Sequence, residues 1–210
     1  MKSGVASVSE YFTIYGKKEP MFNASVLYII GANGVVDIEV AVAPAEDSKE
    51  HLYDIPRLGL TFEADKKFSE IEYFGRGEKE NYNDFNSHAP IGLYKSTVAD
   101  EHEPYIRPQD NSNHSDVSYL KLRNDKGDEI LIYSDKRFDF NVHNYTQALL
   151  QKADHREDVY DQKTTFVTIN GYTKGTGTGS CGPATLPQYS IDASKEKTFN
   201  FVIAPQKAEK

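Results

Sequence analysis

The sequence contains no tryptophan, one cysteine and two methionines in 210 residues. A lone cysteine, Cys181, excludes an internal disulfide framework. No apolar run approaches the roughly 18–20 residues that a membrane-spanning helix requires. The most apolar stretch, Val26 to Ile30, is far shorter. The opening MKSGVASVSEYF lacks the apolar segment of a secretory leader. Together these absences predict a reducing, cytoplasmic setting with no membrane partner. An excess of basic charge is also missing. There are 24 Lys and Arg against 32 Asp and Glu, a net charge of -8. This argues against nucleic-acid binding, which needs a basic stripe to displace phosphate counterions. Neither a fixed-period repeat nor a Pro/Gly/Ser linker breaks the chain, so one domain is expected.

What is abundant is Tyr (14) and Phe (11), alongside Val, Ile and Thr, a composition that favours strands. Ala24–Ile30 and Val35–Ala43 read as two strands around Gly31-Ala32-Asn33-Gly34. Val36, Ile38, Val40 and Val42 share one face of the second, with Asp37 and Glu39 on the other. Arg57–Glu63, with Leu58, Leu60 and Phe62 inward, and Phe68–Phe74 read as further strands. Residues 75–108 are polar and weakly periodic, the kind of long irregular stretch that often carries function. Val117–Leu122 and Glu129–Tyr133 form a second hairpin across Asn124-Asp125-Lys126-Gly127. Phe138–Tyr145, Thr164–Asn170 and Thr198–Ala204 complete the strands, with a short one at Tyr11–Tyr15. Only Thr146–Asp154 has helical spacing, with Asn144 or Thr146 as its cap. The expected architecture is an all-β antiparallel sandwich over residues 11–205, with disordered segments at 1–10 and 206–210.

Residue-level chemistry is sparse. Gly175 to Ser180 is glycine-rich, but Cys181-Gly182-Pro183 follows where a phosphate loop needs Lys-Ser/Thr and a helix. Cys181 has no base tied to it by sequence. Histidines 51, 88, 102, 114, 143 and 155 show no metal-ligand spacing. Carboxylates crowd the middle of the chain: Glu70, Glu72, Glu78, Glu80, Asp84, Asp100, Glu101 and Glu103. A glycosidase needs two of them facing across a sugar, but charged loops are common and a solvated surface explains most of them better. Tyr73, Phe74, Tyr82, Phe85, Tyr94 and Tyr105 could stack on sugar rings or pack the core.

Four ordered motifs carry a resemblance. They are Gly75-Arg76-Gly77-Glu78-Lys79-Glu80-Asn81-Tyr82-Asn83-Asp84; Tyr105 through Asn113 with Asp116-Val117; Phe140-Asn141-Val142 through Ala153-Asp154-His155; and Gly175-Thr176-Gly177 through Ser180-Cys181-Gly182-Pro183. In order and spacing, from about Ile55 to Pro205, the chain resembles the C-terminal domain, or separate small subunit, of β-galactosidases of glycoside hydrolase family two. The resemblance implies a supersandwich like that of galactose mutarotases. It also implies that the catalytic glutamates and the Mg²⁺ and Na⁺ ligands lie on a separate (β/α)8 barrel. Such a barrel needs roughly 250 residues of strand–helix alternation, so no catalytic residue, metal or cofactor is expected in this chain.

By the same resemblance, Gly179, Ser180, Cys181 and Gly182 belong to a loop that walls the galactose pocket. Cys181 stands where many members place a Trp. Asn81, Tyr82, Asp84, Arg107, Gln109 and Asn111 are expected to shape loops and interfaces. Glu78 stands in place of a usual Pro, Ser112 in place of a usual Gly, and Phe85 in place of an Arg that would partner Asp84. The family's domain begins before Met1, so the first sandwich strands are expected to be missing, leaving an open edge to be covered by self-association or a partner. The expected partners are the catalytic large chain and a galactoside such as lactose. A rival reading is a stand-alone carbohydrate-binding or aldose 1-epimerase-like protein, with His143, His155 and Glu101 as its acid and base.

Overall fold

The computed structural model describes residues 4–48, 55–177 and 184–208. Within these residues, ten antiparallel strands and one short α-helix make an all-β sandwich. The strands are β1 (Val5–Tyr15), β2 (Pro20–Gly31), β3 (Val36–Pro44), β4 (Arg57–Asp65), β5 (Glu70–Arg76), β6 (Ile91–Thr97), β7 (His114–Arg123), β8 (Glu129–His143), β9 (Thr164–Thr173) and β10 (Lys197–Gln206). The helix, α1, is Gln147–Lys152. The main path through the sheet is β1-β2-β3-β10-β8-β7-β5-β6, and β4 joins through β9 to β8.

Local chemistry accounts for the hairpins. Between β2 and β3 the Asn33 carboxamide accepts from Val35 N, and Gly34 takes φ +83°, which an L side chain resists. Between β7 and β8 the Asn124 carboxamide oxygen accepts from both Lys126 N and Asp128 N at 2.9 Å. On β3 the period-two pattern holds, with Ile38, Val40 and Val42 buried and Asp37 and Glu39 exposed.

Strand β8 organises the molecule. Its start pairs with β10 (Glu129↔Gln206 to Tyr133↔Val202), and its end pairs along the same edge with β9 (Asp139↔Asn170 to His143↔Phe166). The exposed Asp135, Lys136 and Arg137 mark the crossing from one partner to the other. The sequence reading splits this strand in two because the polar run interrupts its alternation; the backbone stays extended through it. Phe138, Phe140 and Val142 face the core with Leu120, Leu122, Ile132, Val167 and Ile169.

Two further expectations are corrected. The strand expected at Tyr11–Tyr15 begins at Val5, inside the segment expected to be disordered, and pairs with β2 along its whole length. Its residues are all exposed, so it has no burial pattern to read. Strand β6 lies within the stretch read as irregular. Among the described residues it is a sheet edge paired only with β5, and exposed Ile91, Leu93 and Lys95 blur its apolar face.

Candidate functional site

Asp139, Asn141 and His143 alternate with the core residues of β8 and so project from its other face. They are nonetheless buried, because the 77–90 and 99–113 loops cover that face. Buried polar groups must find partners, and here they join the loops to the sheet. Asn141 donates to Asn111 O at 2.7 Å, and its own carbonyl accepts from Arg57 Nη1 at 3.1 Å. Arg57 also pairs with Asp110. His143 Nε2 lies 3.1 Å from Asn111 Oδ1, and the Asn111 amide nitrogen donates to Gln109 O at 2.9 Å. Asn113 donates to Asp139 at 3.2 Å. Burial raises the Asp139 carboxyl to about 6 and lowers the His143 imidazole to about 4.

Asn81 clamps the 77–90 loop to this layer. Its side chain donates to Arg76 O and Lys79 O and accepts from Ser115 N and Ser115 Oγ. Its backbone bonds Asn113 in both directions. Tyr82 is buried beside Asp110, and burial drives its phenol well above the ordinary range. The next two residues reach the glycine-rich segment after β9. Asn83 Nδ2 donates to Thr173 O at 2.5 Å. Asp84 accepts from Thr176 N at 2.9 Å and from Gly177 N at 2.7 Å. A Cβ on Gly175 would lie 2.5 Å from the Asp84 carboxyl carbon, so the carboxylate occupies the space that only glycine leaves free. On the far side, Thr185 Oγ1 donates to Gly175 O at 2.9 Å, and Gly175 N donates to Tyr189 O at 2.8 Å. The flanks of 178–183 are therefore held together by a clasp centred on Gly175 and Asp84. The expected wall residues Gly179, Ser180, Cys181 and Gly182 lie outside the described residues.

Of the six residues expected to shape loops and interfaces, Asn81, Tyr82, Asp84 and Asn111 sit in this network. Arg107 and Gln109 have exposed side chains and border an open cleft of about 440 Å³ with Gln147 and Leu150. Asp84 takes its hydrogen bonds from main-chain N–H groups. Ser112, at the expected glycine, has φ +56° and is held there by Ser112 N donating to Glu80 and Ser112 Oγ donating to Glu101 O. The sequence reading did not identify Arg57, Asp110 or Asp139; their partners lie dozens of residues away, which no local spacing reveals.

The acid–base candidates do not open onto a cleft together. Glu101 is buried and bonds His114 Nε2 at 2.7 Å, and His114 Nδ1 lies 2.9 Å from the buried Tyr73 hydroxyl. His143 is buried against Asn111, and His155 is exposed at the start of a 3₁₀ turn. Other carboxylates are engaged structurally: Glu72 lies between Lys95 and Lys121, and Glu80 accepts from Tyr105 and Ser112 N. Among the described residues, no three His, Cys, Asp or Glu gather as metal ligands, and no helix is long and apolar enough to cross a membrane.

Residues 2–203 match the sequence profile of a family described as beta galactosidase small chain. A β-galactosidase of Actinobacillus pleuropneumoniae is 30% identical over 198 residues, which is 94% of this chain and 18% of that protein. One from Priestia megaterium is 30% identical over 181 residues, 86% of this chain and 17% of the relative. One from Kluyveromyces lactis is 31% identical over 149 residues, 70% and 14% respectively. The chain thus spans less than one fifth of the length of these relatives. A crystal structure of a GalM/aldose epimerase homologue from C. elegans superposes with a TM-score of 0.51 at 12% identity, covering 100% of this chain and 70% of that one. At that identity the likeness is one of fold.

Proposed function

Because this chain belongs to the β-galactosidase small-chain family, we propose that it completes the active-site wall and an interface of a β-galactosidase whose catalytic barrel is a separate body. The reaction would be retaining hydrolysis of terminal β-galactosides such as lactose, of the glycoside hydrolase family two type. Two closely spaced glutamates would carry it through a covalent glycosyl–enzyme, and these, with the Mg²⁺ and Na⁺ sites, would sit on the larger chain. The assembly would be cytoplasmic.

The observation that carries this reading, beyond family membership, is the clasp at Asp84. A loop that walls a pocket on another body must leave the sheet at a fixed place. Charge-assisted bonds from two consecutive N–H groups to one carboxylate fix that place more firmly than neutral bonds would. Residues 179–182 then supply shape, with Cys181 offering far less stacking area than an indole. The buried polar layer beneath is scaffolding, rigid because its donors and acceptors are largely matched. The epimerase reading is less supported, since Glu101 and His143 are buried while His155 is exposed elsewhere, and an epimerase needs its acid and base together at the sugar.

Complementation tests this. The Actinobacillus pleuropneumoniae β-galactosidase, with its matching segment deleted, is mixed with this chain, and release of a chromogenic aglycone is followed. Activity appearing only on mixing is expected, with Cys181→Trp shifting KM more than stability. Turnover by the chain alone, or tight galactose binding by it, would refute the proposal in favour of a self-sufficient sugar site.

A further inference from the structure

Among the described residues, strand β1 is the end of the sheet and bonds only to β2. Its other side presents main-chain N–H and C=O groups to solvent along eleven residues. The inner face of the sheet can be followed across the register. Ile38, Val40 and Val42 of β3 stand opposite Tyr28, Val26 and Ala24 of β2, which stand opposite Val8, Glu10 and Phe12 of β1. The β3 residues are 5–6% exposed, and Ala24 and Val26 of β2 are 6% and 1%. On β1 the covering layer has run out: Val8, Phe12 and Ile14 are 47%, 46% and 39% exposed on the same face. An apolar shelf continuous with the core, next to an unpaired strand edge, is a surface shaped for strand addition.

Glu10 identifies the occupant. It lies in the middle of the shelf, opposite Val26 and between the rows of Val8 and Phe12, and any covering chain must desolvate it. A second copy pairing antiparallel over the full strand sets Glu10 opposite Glu10, where like charges repel. A slip of one residue turns the apolar side chains to the wrong face, and a slip of two shortens the ladder.

We infer that β1 and the inner face of β2 receive an extended segment of the larger β-galactosidase chain, with alternating apolar residues and a Lys or Arg facing Glu10. The inference rests on the small-subunit reading above and gives that reading its contact surface. The segment would add a strand beside β1, the body of the larger chain would cover Val8, Phe12 and Ile14, and the segment's cation would neutralise Glu10.

The test is hydrogen–deuterium exchange on the full chain, alone and with the segment-deleted Actinobacillus pleuropneumoniae β-galactosidase. The excised segment of that enzyme is the positive control. A complex is expected, with exchange across residues 5–15 slowed at least about tenfold. Phe12→Asp and Glu10→Lys should each raise Kd about tenfold or more, with near-UV circular dichroism of the free chain unchanged. A complex that leaves exchange over 5–15 unchanged overturns this surface and leaves the subunit reading standing. No complex, where the control segment does bind, overturns both. Protection over 5–15 that grows with the concentration of this chain alone assigns the edge to a second copy and overturns the inference.

Discussion

Asp84 sits between two loops that are ninety residues apart in sequence, and its carboxylate accepts from Thr176 N and Gly177 N. An ionised acceptor strengthens each bond, so removal is felt locally. Asp84→Ala should speed amide exchange at Thr176 and Gly177 at least about tenfold, the equivalent of one charge-assisted bond of about 1.5 kcal/mol. In the complemented enzyme it should raise KM, while thermal stability moves little. Gly175→Ala should reproduce the effect, because its methyl group enters the space of the same carboxylate. Asn81, by contrast, is fully buried with its side-chain donor and acceptor groups engaged. Replacing it with Leu should lower global stability through the donors and acceptors left unpaired.

The polar face of β8 sets two opposing pH dependences within one strand. Asp139 titrates near 6 folded against 3.8 free, so its folded form holds the proton more tightly. Its contribution to stability is present below pH 3.8 and is lost as pH rises through 6. His143 titrates near 4 folded against 6.5 free. Its contribution is present above pH 6.5 and is lost as pH falls through 4. Each shift of a little over two units corresponds to about 3 kcal/mol, and the two slopes nearly cancel between pH 4 and 6. Asp139→Asn should therefore expose the histidine: relative to wild type, its unfolding free energy should rise by about 3 kcal/mol from pH 4 to 7. His143→Asn should show the opposite slope. Urea titrations at several pH values decide it, and parallel curves for wild type and both variants would contradict the burial of these groups. Helix α1 offers a simpler check. Its cap is Thr146, whose hydroxyl accepts from Leu149 N at 3.2 Å. Thr146→Ala should cost about 1 kcal/mol in the same titration.

At the scale of the whole molecule, the core gathers around β8 and its cover runs out toward β1. Phe140 lies in that core with no exposure, and Phe140→Ala should cost about 3–5 kcal/mol. The open end is where a larger body is inferred to dock. The β class, both hairpin turns and the inward faces of β3, β4 and β8 were legible in the sequence, and the helix cap was narrowed to Asn144 or Thr146. Each of these follows from residues within a few positions of one another: period-two alternation, Asn-Gly and Asn-x-x-Gly turns, and a threonine ahead of a helical run. The motifs around Asn81, Asn111 and Gly175 also pointed to the loops that meet at the site. Tertiary structure alone decided that β8 is one strand shared by β9 and β10, that β6 is a sheet edge, and that β1 starts at Val5. Edge strands carry little burial contrast, and a strand that changes partners keeps its extended backbone through polar residues. Tertiary structure also decided that Asp84 holds main-chain N–H groups and that Arg57 reaches Asp110 and Asn141. These partners are brought together by strand pairing across the fold, and pairing between distant segments leaves no local trace in the chain.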